Sequence, residues 1–90
     1  MSAYYPLTTQ TVAFLITSVA STNAVGAQTK RVRLVATTDC HIAFGVSPTA
    51  TTSDMYLAAD REEIFKIKPG QKVAAIRNTA DGTLYVTEME

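Results

Sequence analysis

The chain has 90 residues, with eight basic and eight acidic side chains, one histidine and one cysteine. Its length predicts a single domain over residues 1–90, and so small a domain buries only about 60–65% of the surface that its unfolded chain exposes. Oligomerisation is a common remedy for such marginal stability. The balanced charge argues against nucleic-acid binding, which needs a basic surface. The single cysteine excludes an internal disulfide framework and a cysteine-rich zinc site.

Residues 1–10 are interpreted as an N-terminal arm that precedes the first strand. The arm has no charged side chain and contains Tyr4, Tyr5, Pro6 and Leu7. Chain ends stay disordered unless something holds them, so an apolar arm has reason to dock on another surface.

The longest apolar run covers residues 12–20. It is shorter than the roughly 20 residues that a membrane helix needs, so no membrane contact is expected. The run also resembles the apolar region of a secretory signal peptide, but no basic residue precedes it. The favoured interpretation is a buried strand over residues 11–19, with apolar side chains on both faces.

The rest of the chain alternates between short strand-like segments and turn signals, and no segment keeps a helical period. Threonine, valine and isoleucine are frequent in these segments and favour the pleated surface of a sheet. In residues 30–37, alternation places Val32 and Leu34 on one face and Arg31 and Arg33 on the other. The predicted strands after the first are residues 30–37, 40–46, 54–58, 62–68, 72–77 and 83–88.

Three turns are predicted between these strands. Residues 37–39 are short enough for a hairpin-like link, and residues 78–82 end in Asp-Gly, which is a hairpin signal. Pro69 and Gly70 fit a type II turn, because proline presets its first central position and glycine allows the positive φ of the second. The acidic end, residues 88–90, is expected to lie in solvent.

About seven short strands with intervening turns predict an all-β protein. The predicted architecture is a single antiparallel β-sandwich, either jelly-roll-like or immunoglobulin-like. The strand order does not follow from the sequence.

Cys40 and His41 are adjacent, and such a pair could suggest nucleophilic catalysis, in which a base lies within hydrogen-bond reach of the nucleophile. Adjacent residues of a strand point to opposite faces, so this pair does not meet in that way. Alternation instead groups Cys40 with Ile42 and Phe44 as a small core residue. One histidine and scattered carboxylates give no ligand spacing for a transition metal. The chain is therefore predicted to be non-enzymatic, with no catalytic residue, cofactor or metal.

Eight residues are candidates for an interface. Two arginines share a strand face and could bind a phosphate, a carboxylate or an acidic partner. The alternative is a solvated face that blunts a sheet edge. Tyrosine and methionine are enriched in interface cores, but each could equally pack on its own domain. The candidates are Tyr4, Tyr5, Pro6, Leu7, Arg31, Arg33, Met55 and Tyr56.

The stretch from Arg31 to Met89 resembles a group of small virion structural proteins of tailed bacteriophages. The matching segments are VRLVATTDCHIAFG at residues 32–45, SPTAT at 47–51, MYL at 55–57, EIFKIKPGQKVA at 63–74 and GTLYVTEM at 82–89. The stretch covers about two-thirds of the chain. It carries a β-sandwich pattern without a catalytic signature, so no functional residue is transferred from it.

The resemblance implies a small β-sandwich present in many copies on the virion, as a capsid decoration or cement protein that bridges major capsid subunits. The implied partners are the major capsid protein and further copies of the chain itself, with no nucleic acid and no membrane. The implied location is the virion after assembly in the host cytoplasm, where a single reduced cysteine fits. Head–tail joining or a tail component is the alternative virion role. A carbohydrate-binding β-sandwich is a third hypothesis, for which Tyr4, Tyr5, Tyr56 and Tyr85 offer aromatic stacking surfaces.

Overall fold

The computed structural model describes residues 6–90, and these residues form eight β-strands and no helix. The strands are β1 (Pro6–Phe14), β2 (Val19–Ala20), β3 (Arg31–Ala36), β4 (Cys40–Gly45), β5 (Met55–Leu57), β6 (Glu63–Lys66), β7 (Lys72–Arg77) and β8 (Gly82–Met89). The all-β prediction is confirmed. The described part has eight strands rather than about seven, because the first predicted strand divides into two.

The strands form two antiparallel sheets of four, in the orders β1-β8-β3-β6 and β2-β7-β4-β5. They are called the first and the second sheet below. Strands at equal distances from the two ends of the series pair with each other: β1 with β8, β2 with β7, β3 with β6 and β4 with β5. A long hairpin wrapped into two sheets in this way is the jelly-roll topology. The predicted sandwich is confirmed, and of its two possible topologies the chain adopts the jelly roll.

The core lies between the sheets and is filled by the inward side chains of alternate residues. In β3, Val32, Leu34 and Ala36 are fully buried, whereas Arg31 and Arg33 face outward. The predicted alternation is therefore confirmed in this strand. Further large side chains of the core are Phe14, Ile42, Leu57, Leu84 and Val86.

Two predicted hairpins are wrong. Residues 37–39 connect β3 to β4 and residues 78–81 connect β7 to β8, and in both cases the two strands belong to different sheets. Among the described strands, only β4 and β5 are consecutive neighbours in one sheet. A turn sequence reports that the chain reverses direction, but the partner of each strand is decided by packing across the whole molecule.

The type II turn before β7 is confirmed. The Gln71 amide donates to the Lys68 carbonyl at 3.2 Å, and Gly70 has φ of 87°. A residue with a side chain rarely adopts that φ, so glycine is required at this position. This turn also crosses between the sheets, from β6 to β7.

The N-terminal part of the prediction needs two corrections. β1 begins at Pro6 and pairs with β8, so residues 6–10, which were interpreted as part of an arm, belong to the first sheet. β1 also ends at Phe14, and Leu15 and Ile16 are exposed in the crossing to β2 instead of being buried in a continuous strand. The apolar composition of residues 12–20 predicted one continuous strand and gave no sign that the chain crosses between the sheets at Leu15 and Ile16. Tyr4 and Tyr5 lie outside the described residues.

The acidic C-terminus was wrongly expected to lie in solvent. β8 extends to Met89 between β1 and β3, and both Glu88 and Met89 are buried, whereas Glu90 is exposed. Glu88 continues the inward series of Leu84 and Val86 at a spacing of two residues. The alternation of β8 therefore predicts the inward position of Glu88 correctly, whereas the acidic composition of residues 88–90 wrongly suggested exposure to solvent.

Gly82 lies in a crowded corner at the start of β8, beside Phe14 of the neighbouring strand β1 and the connection that follows β3. A Cβ atom at this position would lie 2.8 Å from Cζ of Phe14 and 2.9 Å from Oγ1 of Thr37, and even closer to Oγ1 of Thr38. Such contacts are too short for any side chain, so the packing at this corner requires glycine.

Candidate interaction surfaces

The candidate interface residues divide between the two sheets. Arg31 and Arg33 lie on the outer face of the first sheet, and Leu7 is exposed in β1 of the same sheet. Pro6 is the first residue of that strand. Met55 and Tyr56 lie in β5 of the second sheet, where each is about half exposed, at 50% and 51%. These candidates therefore do not form one continuous site.

The outer face of the first sheet is broad and rich in threonine. Register places Thr11 beside Tyr85 and Tyr85 beside Val35. The neighbouring row runs through Thr9, Thr87, Arg33 and Ile64. The hydroxyls of Thr9 and Thr87 lie 3.0 Å apart across the two strands. This face, which is called the threonine face below, presents hydroxyl, apolar and aromatic groups on β1 and β8, and its charged side chains Arg31, Arg33 and Lys66 lie on β3 and β6.

Tyr85 is an interface candidate that the sequence-based selection missed. It lies near the middle of the threonine face and its side chain is 45% exposed. Its outward direction was predictable because Leu84 and Val86 on either side point inward. Recognising its neighbours required the strand order, which places β8 between β1 and β3.

Both arginines of the threonine face have partners within the chain. Nε of Arg33 lies 2.9 Å from a carboxylate oxygen of Glu62, and both side chains are 40% or more exposed. Nη1 of Arg31 donates to the Glu90 carbonyl at 3.0 Å. An ion pair as exposed as that of Arg33 contributes little to stability. It does lower the net charge that the face presents to a partner.

A polar cluster surrounds Tyr56 at the end of the second sheet. The Tyr56 hydroxyl donates to the Asp39 carboxylate, and the Ala59 amide donates to the same carboxylate at 2.7 Å. These donors hold the pKa of Asp39 below its usual 3.8, with the Tyr56 hydroxyl as the larger cause. The same hydrogen bond raises the pKa of Tyr56. The His41 ring meets Tyr56 edge-on, with ring centres 5.5 Å apart.

His41 is fixed through both of its ring nitrogens. Nδ1 lies 3.0 Å from the Asp54 carbonyl, and Nε2 lies 3.1 Å from Oδ1 of Asn78. The ring therefore ties β4 to two connections, and neither nitrogen is directed at an open position. These two contacts fix the orientation of the largely buried ring on the outer side of the sheet.

Cys40 is a core residue, as alternation predicted. Its side chain is fully buried in the cluster that contains Ile42 and Leu57. Burial raises the pKa of the Cys40 thiol to about 11, with the nearby Asp39 charge as a smaller cause. Since the thiolate is the nucleophilic form, this environment makes Cys40 an inert packing residue.

The outer face of the second sheet is partly covered by the connection between β4 and β5. Ala74 points away from the core, between Ala43 and Ala20, and yet it is fully buried. The Ala50 amide in that connection donates to Oγ of Ser18 at 2.8 Å, and Ala50 is itself buried. Small side chains on the sheet leave room for the covering segment. The threonine face is thus the more open of the two outer faces.

Charge is unevenly distributed along the chain. The first charged side chain is that of Lys30. β1, β2 and the connection up to residue 29 therefore carry none of the sixteen charged side chains. β1 therefore contributes no charge to the threonine face.

Among residues 6–90, no three side chains of the histidine, cysteine, aspartate and glutamate types come together to hold a metal ion. No helix within the same residues is long and apolar enough to cross a membrane.

Comparison with protein-family models, curated proteins and solved structures found no match to this chain. The class that the fold and the surface define is a small jelly-roll protein with one sheet face that is more open than the other.

Proposed function

We propose that the chain is a non-enzymatic structural protein of a tailed-phage virion, and specifically a capsid decoration or cement protein that bridges major capsid subunits. A cement protein needs a rigid body and an adhesive surface that repeats over the shell. The observation that carries the proposal is the threonine face: an open sheet face with Tyr85 near its centre and no charged side chain on β1. Aromatic residues surrounded by uncharged groups are typical of interface cores.

The distribution of the virion-protein resemblance supports the same proposal. The similar segments correspond to β3 through β8. These strands are the four central strands of the two sheets and the edge strands β5 and β6, and β7 is covered up to Ala74. β1 and β2 lie outside the resemblance, and they form the uncharged part of the chain. We propose that the shared segments supply the scaffold and that β1 supplies contacts particular to this chain.

The carbohydrate-binding alternative is less well supported by the described residues. Tyr56 and Tyr85 are both exposed, but they lie on different sheets. A sugar ring therefore cannot stack on the two together. A glycan array with clear hits that the variant Tyr56→Ala or Tyr85→Ala abolishes would reverse this preference.

The proposal is tested by quantitative mass spectrometry of purified particles, in which this protein is measured against the major capsid protein. We expect a ratio near equimolar. A ratio smaller by orders of magnitude would favour head–tail joining or a tail component. Absence from the particles would overturn the virion role altogether.

A second test examines the threonine face directly. Particles that lack the protein are mixed with purified protein, and its rebinding is measured by sedimentation. Tyr85→Glu should weaken rebinding at least about tenfold, since it buries a charge at the centre of the contact. Thr52→Glu places the same charge in the exposed connection over the second sheet and should bind normally. Equal binding of both variants would remove the threonine face from the contact.

A further inference from the structure

β1 is unusual among the edge strands of the described structure. The sheet edges are β1 and β6 in the first sheet and β2 and β5 in the second. β6 carries Glu63 and Lys66, and β2 and β5 have only two and three residues. Charge and shortness are the usual protections of an edge against pairing with another chain. β1 has nine residues and no charge. Its proline and its register irregularity lie between Pro6 and Thr9, so the regular part of the strand from Thr9 onward has none of the usual protections.

The register shows which backbone groups of β1 face the open edge. The Thr37 amide donates to the Thr83 carbonyl at 3.0 Å, so odd-numbered residues of β8 exchange hydrogen bonds with β3. Even-numbered residues of β8 must then bond to β1. Their partners in β1 are also even-numbered, since Val12 lies opposite Leu84. The amides and carbonyls of Thr9, Thr11 and Ala13 therefore point away from the sheet.

These outward groups are open in the described structure. Thr9, Thr11 and Ala13 are all exposed residues, and no hydrogen bond from a described residue reaches their backbone along this edge. The nearest segment is held on the inner side of the strand: the Gln10 side chain donates to the Asn23 carbonyl at 2.8 Å and accepts from the Asn23 amide at 3.2 Å. Within residues 6–90 the edge is therefore open.

We propose that the occupant of this edge is a second copy of the chain, paired antiparallel through β1 about a two-fold axis at Thr11. In this register Thr11 lies opposite Thr11 of the other copy, and Thr9 lies opposite Ala13 in both directions. Each of these three pairs exchanges two backbone hydrogen bonds, about six in all. The pairing joins the two first sheets into one continuous sheet of eight strands across the dimer.

Charge and symmetry favour a second copy over an unlike strand. A two-fold axis at Thr11 places this residue opposite its own equivalent, so a charge at the axis would meet a like charge. β1 is free of charge, and so is the connection that follows it. The set of outward residues is also centred on Thr11, which allows all three to pair at once. A charged partner strand would find no opposite charge along β1.

The β1 dimer would be the contact between copies of the proposed virion protein. Its role in the particle rests on the proposed function, whereas its formation in solution does not. It also fits the size of the chain, since a domain this small gains stability by association. The dimer is measured in solution and the virion role by copy number in particles. Either can therefore fail without the other.

The experiment compares the mass of the full chain and its variants by analytical ultracentrifugation at submillimolar concentration. The wild-type chain should have the mass of a dimer. Thr11→Lys and Thr11→Glu should each be monomeric, because like charges then lie opposite at the axis. A mixture of the two should recover the dimer mass through opposite charges. Thr52→Lys adds an exposed charge elsewhere and should remain dimeric.

Thr11→Pro provides a second test of the hydrogen bonds themselves. Proline removes an amide that faces the open edge, so the bonds between β1 and β8 are preserved. The variant should be monomeric, and its circular dichroism should remain that of a folded β-protein. A monomeric wild-type chain would overturn the proposal, as would dimers that persist in Thr11→Pro and in both charged variants. Failure of the charge-swapped mixture to dimerise would overturn the register at Thr11.

Discussion

The two ends of the sandwich each contain a hydrogen-bonded carboxylate, but the two carboxylates have different structural roles. At one end, buried Glu88 accepts from Oγ1 of Thr29 at 2.5 Å, from the Gly26 amide at 2.9 Å and from Oγ1 of Thr8 at 3.1 Å. At the other end, Asp39 accepts from Ala59 and Tyr56 at the surface. Glu88 fastens the long connection between β2 and β3 to the first sheet. Asp39 adds side-chain hydrogen bonds at a corner where backbone hydrogen bonds already join the connections.

The contrast follows from the lengths of the connections. The Asp39 end has short crossings, which are joined by backbone bonds from Asn78 to Asp39, from Arg77 to Leu15 and from Asp60 to Ala36. The Glu88 end has to hold the longer segment over residues 21–30. Backbone bonds tie this segment to β7 and the turn before it, from Ser21 to Val73 and from Val25 to Gln71, and Glu88 adds the attachment of Gly26 and Thr29 to the first sheet. A buried carboxylate can do this because it accepts several donors at once. Because Thr29 is buried with Glu88, loss of the bond between them would leave a buried donor without an acceptor and lower the stability of the folded protein.

The largest expected effect is that of Gly82→Ala at the Asp39 end. The added Cβ atom would overlap Phe14 and two threonine hydroxyls, so we expect a loss of about 3 kcal/mol in the free energy of unfolding. Urea denaturation measures it. Gly26→Ala at the Glu88 end is the matched control, because its Cβ atom would lie 3.8 Å from the nearest atom. That variant should change stability by no more than about 0.5 kcal/mol. Equal costs would show that the two ends are packed alike.

Glu88→Ala should be the next most damaging change. It leaves the Thr29 hydroxyl and the Gly26 amide without their acceptor, which should cost about 2–3 kcal/mol in urea denaturation. Glu88→Gln retains one carbonyl oxygen for those two donors and should cost less than about 1 kcal/mol. A large loss in Glu88→Gln would mean that the charge matters more than the acceptor geometry.

Stability should fall at alkaline pH because of Cys40. Its pKa is about 11 in the folded protein against an ordinary value of 9.0, so the folded state keeps a proton that the unfolded state releases. The contribution is complete below pH 9 and is lost as the pH rises towards 11, by up to about 2 kcal/mol. Chemical denaturation from pH 8 to 11 measures this loss. Cys40→Ala should flatten the profile, and Tyr56→Phe separates the part that comes from the raised tyrosine pKa. An unchanged slope in Cys40→Ala would contradict the assignment.

The smallest effect should come from Asp39, with the opposite sign. Its pKa is lowered in the folded state, so the stability that it contributes is present above the unfolded value near 3.8 and is lost as the pH falls below it. Thermal denaturation between pH 5 and 2.5 should show a weaker acid dependence in Asp39→Asn than in wild type. Identical acid profiles would show that the Tyr56 and Ala59 bonds leave folding unaffected.

Alternation predicted much of the fold because each strand position depends on its immediate neighbours. β7 begins and ends as predicted, at Lys72 and Arg77, and β3 and β4 differ by only a residue or two. The same rule placed Cys40 in the core and Tyr85 outside it. It failed where a local property gave a competing signal: charge hid the burial of Glu88, and apolar composition hid the crossing at Leu15.

The candidate interaction surface was less predictable. Arg31 and Arg33 were correctly placed together on one outward face. Their neighbours on the threonine face come from β1, β6 and β8, which are distant in the sequence. Met55 and Tyr56 were grouped with the arginines by residue type alone, but they lie on the other sheet. Residue type indicates what can form an interface, whereas sheet order decides which residues share one.

The sequence by itself determined the all-β class, the inward and outward faces of most strands and the turn at Pro69 and Gly70. These depend on backbone conformation and on a spacing of two residues, which are local properties. Only the tertiary structure decided that 37–39 and 78–81 cross between sheets, that β1 becomes an uncharged edge and that Glu88 gathers three donors. Those features depend on which distant segments meet, and that choice is made by the packing of two sheets around one shared core.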